Sequence, residues 1–110
     1  EGVLEYFTKE QTETCLHMLC DSFEHGWLLA EMNSPLMAKH SDKHDAIKNT
    51  NATFKWGTKS GQEFVELEPR LTLVDERSYN EEMRKHTLRG KLFAATIGRN
   101  LNNRLALFAW

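Results

Sequence analysis

Polar and apolar positions change period along the chain, and each change suggests an element. From Thr8 to His25 the spacing is helical, with Leu16, Leu19, Phe23 and Trp27 recurring three or four residues apart on one face. Thr8 can cap this helix, and Gln11 three residues on completes a capping-box signature. Gly26 is placed to stop it. The apolar patch Trp27–Ala30 either continues the helix or bends away from it.

Ser34-Pro35 reads as the cap and first turn of a second helix, with Leu36, Met37, His40, His44 and Ile47 on a thin apolar stripe. Thr53–Trp56 and Glu63–Glu68 then interleave polar and apolar residues about a turn at Thr58–Gly61, the pattern of a β-hairpin. Pro69 interrupts, and Arg70–Asp75 is a third strand candidate. Ser78 with Glu81 forms another capping-box signature, opening a helix from about Tyr79 through Met83, Thr87, Gly90, Ala94, Ile97 and Leu101. Gly90 and Gly98 weaken that helix. The competing reading ends it near Leu88 and makes Lys91–Ile97 and Arg104–Trp110 a hairpin. The fold class expected is therefore α+β: two N-terminal helices, an antiparallel sheet of three or more strands, and a C-terminal helix or hairpin.

Length and composition narrow this picture. The 110 residues fit one globular domain, and 40% hydrophobic content with three Trp and six Phe supplies a packed core. No apolar run approaches the roughly 20 residues that cross a bilayer, so no membrane partner is expected. Cys15 and Cys20 lie five apart. On a helix this sets their Cα atoms roughly 8–9 Å apart, beyond disulfide reach, which points to reduced thiols in an intracellular, cytoplasmic setting.

Charge is uneven although the net charge is only −2. Glu1–Lys55 holds nine acids and five bases, whereas Met83–Trp110 holds six bases and no acid: Arg84, Lys85, Arg89, Lys91, Arg99 and Arg104. Phe93, Phe108 and Trp110 lie among them. As a binding face these bases would meet an acidic protein, a phosphate-bearing ligand or nucleic acid. As a structural device they would pair with acids elsewhere in the fold.

Other chemistry is sparse. On a helix His17, Cys20, Asp21 and Glu24 share a face, with Cys15 and His25 nearby, but they lack the spacing of a closed zinc site and would need His40 and His44 as well. No cofactor is expected. A His beside a carboxylate could serve acid–base chemistry, with His17, His40, His44 and His86 available. Trp27, Phe54, Trp56, Phe64 and Tyr79 form either a pocket lining or the core. The function expected is a non-catalytic binding module for a protein or an anionic molecule, met by the basic C-terminal third. The alternative is a small enzyme with a helix-and-sheet pocket, using His and carboxylate groups or holding a phosphate-bearing cosubstrate at the Arg89–Lys91 turn.

Overall fold

The computed structural model describes residues 2–39, 55–79 and 103–110. Within them the order is a 3-10 turn at Leu4–Tyr6, helix α1 at Lys9–Ser22, strand β1 at Trp27–Met32, helix α2 at Pro35–Lys39, helix α3 at Gln62–Leu67, strand β2 at Thr72–Ser78 and strand β3 at Arg104–Ala109. The class is mixed α+β, with a three-stranded antiparallel sheet in the order β1-β3-β2.

Helix α1 starts as its signature requires. Thr8 Oγ1 accepts from the Gln11 N–H at 3.2 Å, and the Gln11 side chain accepts from the Thr8 N–H at 2.9 Å. Two orphan donors of the first turn are thus satisfied. Thr8→Ala is expected to lower stability by about 1 kcal/mol, measured by urea denaturation. The buried stripe is Thr12, Leu16 and Cys20, one position out of step with the apolar face read from the sequence. Phe23 and Trp27 are exposed instead, because the helix ends at Ser22 and Phe23 is already extended.

Trp27–Met32 is a strand rather than a continuation of the helix. Gly26 begins its pairing instead of capping α1, since its N–H and C=O each bond to Trp110 at 3.1 Å. The Trp110 indole lies over Gly26, where a Cβ would come within 2.3 Å of the ring, and its Nε1 donates to the Phe23 carbonyl at 2.9 Å. A strand therefore stands between the two N-terminal helices and, of the second, Pro35–Lys39 is seen. His40, His44 and Ile47 lie outside the described residues.

The expected hairpin at Thr53–Trp56 and Glu63–Glu68 is replaced. Gln62–Leu67 is helix α3, and Lys55–Ser60 forms no strand; Thr53 and Phe54 lie outside the described residues. The reason is local. Ser60 Oγ accepts from the Gln62 N–H, and the Glu63 carboxylate reaches back to the N–H groups of Ser60 and Lys59. These contacts satisfy N–H groups at the entry to the helix, so residues read as a turn lead into one.

The third strand runs Thr72–Ser78, later than the Arg70–Asp75 expected, with a register shift between Leu73 and Asp75. Ser78 is its last residue, paired with Arg104, and Tyr79 directly after it is helical; the rest of the helix expected from Tyr79 lies outside the described residues. Arg104–Ala109 is a strand, as one of the two readings required. It is the central strand, with β1 on one edge and β2 on the other, and Lys91–Ile97 lie outside the described residues.

The core lies on the face of the sheet that carries Ala30, Met32, Ala106 and Phe108, closed by Leu16 and Cys20 of α1, Phe64 of α3 and Leu71. Trp56, Phe64 and Phe108 stack in series, with centroids 5.8 and 5.4 Å apart. Of the aromatics weighed as a pocket lining, Phe64 is core and Trp56 packs against it.

Candidate functional site

Three polar arrangements arise from this fold, and the space beside each decides what it can do. The first joins α1 to the chain after α3. His17 Nδ1 lies 2.5 Å from Glu68 Oε2, and its Nε2 lies 3.3 Å from Glu13 Oε1. Glu68 is buried at the end of α3 and also accepts from Arg70 Nε, while Arg70 Nη1 reaches Asp21 at 2.8 Å. The bond to Glu13, with help from Glu68, raises the His17 pKa, and the Arg70 guanidinium holds Glu68 below the usual carboxylate value. Burial raises the Cys20 thiol. This is a His–carboxylate contact of the kind expected from the sequence, but neither His17 nor Glu68 lines the cavities of about 200, 270 and 340 Å³ among the described residues. Asp21 is occupied by Arg70, and among the described residues no group of three or more His, Cys, Asp or Glu is arranged to hold a metal. Cys15 and Cys20 are both free thiols.

The second arrangement sits where the 3-10 turn meets β1. Glu5, only 9% exposed, hydrogen-bonds Glu31 of β1. Asn103 Nδ2 donates to both carboxyl groups, at 3.3 Å to Glu5 and 3.4 Å to Glu31, and the Tyr79 hydroxyl donates to Glu31 at 2.7 Å. Burial, then the charge of Glu31, pushes the Glu5 pKa up to about 7. Two carboxyls in contact out of water cannot both be ionised without large cost, so one keeps its proton. Asn33 and Thr58, 2% and 3% exposed, line the same small cavity, and their side chains have no hydrogen-bond partner among the described residues. The cavity measures about 10 Å³, the size of a single water-sized guest, so no substrate fits there.

The third lies on the opposite face of the sheet. Strand register sets Leu29 beside Leu107 and Asp75 in one row, and Glu31 beside Leu105 and Arg77 in the next. Their side chains floor a cleft of about 340 Å³ bounded by Asp75, Arg77 and Tyr79, and a cavity of about 270 Å³ adjoins it, reaching Glu31. Asp75 and Arg77 pair with each other at 3.2 Å on the rim. Leu29 is 65% exposed, and Trp27, two residues back on the same face, is 69% exposed.

Of the six bases expected to bind a partner, Arg104 is described. It pairs with Glu76 at 2.9 Å, both side chains being largely buried, so this base serves the sheet. Arg84, Lys85, Arg89, Lys91 and Arg99 lie outside the described residues, as do His86 and Phe93. Phe108 is fully buried and Trp110 packs on the core, so neither offers the free ring that stacking on a base requires. Of the aromatics weighed as a pocket lining, Tyr79 borders the outer-face cleft, whereas the Glu5–Glu31 pair had no counterpart among the sequence candidates. Alternation in Trp27–Met32 and Arg104–Ala109 was the available signal for the cleft. Comparison with protein-family models, curated proteins and solved structures finds no match.

Proposed function

We propose that the chain is a non-catalytic binding module that seats apolar side chains of a protein partner in the outer-face cleft. The observation that carries this reading is where the space lies. The pocket on the Glu5 side holds only a water-sized guest, and Glu31 meets the larger space at its edge, whereas the cleft has ligand-sized volume, an apolar floor and a polar rim. Contiguous exposed apolar surface beside Trp27 and Leu29 is also what soluble domains keep for association. The enzyme reading would need Glu5 or His17 to face a cleft, and neither lines the cavities on the outer face.

An acidic partner fits this reading best. Strands β2 and β3 are joined through residues 79–103, and the Tyr79 N–H bonds the Asn103 carbonyl at 3.0 Å, so the connection is tied beside the cleft. Its segment 80–102 holds five bases, Arg84, Lys85, Arg89, Lys91 and Arg99, against two acids. Electrostatic attraction would then steer a negatively charged partner to the apolar floor. Among the described residues no helix is long and apolar enough to cross a membrane. A reducing, cytoplasmic setting accords with the two free thiols.

Panning a displayed random-peptide library on the wild-type protein and on Leu29→Asp tests the proposal. Leu29 is mostly exposed, so the substitution should change stability by no more than about 0.5 kcal/mol. Peptides rich in apolar and acidic residues should be enriched on the wild type and lose at least about tenfold in affinity on the variant, roughly 1.4 kcal/mol. Enriched peptides that bind both proteins equally, or no enrichment at all, would overturn it. A random oligonucleotide titrated at two salt concentrations separates off the nucleic-acid form of the reading, which requires a steep salt slope.

A further inference from the structure

The Glu5–Glu31 contact joins the 3-10 turn at Leu4–Tyr6 to strand β1. The 3-10 turn Leu4–Tyr6 lies against β1, an edge strand whose other side is occupied by β3. Its internal backbone bonds are two, from the Tyr6 N–H to Val3 and from the Phe7 N–H to Leu4. Val3 is exposed, and Leu4 is half-buried against the core. Val3 and Leu4 also wall a cavity of about 200 Å³ between α1 and β1, whose other sides include Cys15, Leu19, Leu28 and Ala30. Glu5 is the buried residue of the turn, and its carboxyl meets another carboxyl.

We propose that residues 3–7 form a proton-gated strap, held on β1 while the Glu5–Glu31 pair keeps its proton and released when that proton is lost, which opens the groove between α1 and β1.

The charges around the pair agree with this. Among the described residues, Glu31 is the charged group of β1 that touches Glu5. At the start of β3, Arg104 is one residue from Asn103, but its guanidinium is bound to Glu76. On α3, Glu63 is turned to the backbone of Lys59 and Ser60. Tyr79 and Asn103 donate hydrogen bonds without adding charge. The amino terminus pulls in the opposite direction and is the weakest of the four influences on Glu5. Among the described residues, none of the charged groups that shift Glu5 is a Lys, Arg or His side chain that would take the proton's place.

The sign follows from linkage. Glu5 titrates near pH 7 when docked and near its ordinary 4.5 when released. Docking is therefore at full strength below pH 4.5, its equilibrium constant falls by up to about tenfold per pH unit between 4.5 and 7, and it levels off at its weakest above 7, where docked and released states have both lost the proton. Released residues must cross that range more readily than the sheet, whose hydrogen bonds are shared by three strands.

Hydrogen exchange read by mass spectrometry on the whole chain tests the strap at pH 6, 7 and 8, with rates corrected for intrinsic exchange. Amides of residues 3–7 should lose about fivefold in protection between pH 6 and 7 and no more than about twofold between 7 and 8, while those of β3 stay protected. Glu5→Gln, which keeps a donor for Glu31, should remove this pH step, and Glu31→Gln should do so independently. At pH 8 Cys15 should react faster with a thiol reagent in the wild type than in Glu5→Gln. Protection of residues 3–7 that is unchanged from pH 6 to 8, or a step that survives in both folded variants, would overturn the strap. Should one variant fail to fold, the wild-type titration and the other variant still decide.

Discussion

Phe108→Ala should lower the stability of this protein by about 3–5 kcal/mol, the cost of deleting a buried aromatic ring. Phe108 is fully excluded from solvent near the C-terminal end of the middle strand. It stands between Leu28 and Leu73 in register, and its ring stacks on Phe64 at 5.4 Å, which stacks in turn on Trp56. Truncation removes the contact that ties α3 to the sheet and leaves a cavity that neighbours on three strands cannot easily fill. A domain of this size has only about 5–15 kcal/mol of net stability, so the loss is a large share of the whole. Urea denaturation at fixed pH checks it through the midpoint and slope. Phe108→Leu, which keeps much of the volume, should cost no more than about 1.5 kcal/mol. A loss below about 1 kcal/mol for the alanine variant would mean that Phe108 does not anchor the core.

The same residue shows where sequence reasoning reached and where it stopped. In the sequence Phe108 lies among bases, four residues from Arg104, and that linear proximity is the visible relation. What decides its role is the strand order, which places the C-terminal strand between two strands from far earlier in the chain. No local pattern encodes that order. Local chemistry was legible where a side chain answers its own backbone: Thr8 with Gln11 gave the start of α1 correctly. An equivalent signal, Ser60 with Glu63, was present and was outweighed by the turn-like composition of Thr58–Gly61 and the alternation that follows. The hydrophobic stripe of α1 was read one position off, since Thr12 and Cys20, not Phe23, join Leu16 inside. The Glu5–Glu31–Asn103 contact was out of reach, because its hydrogen bonds span 98 and 72 residues.

Gly57→Ala is the second substitution with a large expected effect, about 3 kcal/mol, at the upper end of the ~1–3 kcal/mol typical of overpacking. A Cβ at Gly57 would lie 2.6 Å from both the Pro35 Cα and the Ser34 carbonyl oxygen, and 2.7 Å from the Pro35 nitrogen. These are backbone atoms, so no side-chain rotation relieves the contact. Ser34 is buried, Pro35 has a φ fixed by its ring, and the Thr58 N–H is bonded to the Asn33 carbonyl at 2.8 Å just alongside. The two segments must therefore separate, and that movement carries Asn33 and Thr58, which wall the small cavity beside Glu5 and Glu31. Thermal and urea melts should show the loss, with Lys59→Ala, an exposed position two residues on, staying within about 0.5 kcal/mol of wild type. If the strap is governed by how dry its carboxyl pair is, widening this wall should also move the midpoint of the pH step for release of residues 3–7 to lower pH, because water reaching Glu5 returns its carboxyl toward ordinary acidity. An alanine variant as stable as wild type would show that the 33–35 and 57–58 segments do not pack this closely. One that is destabilised, yet keeps the wild-type release midpoint, would show that the carboxyl pair owes its proton to the contact with Glu31 rather than to the wall behind it.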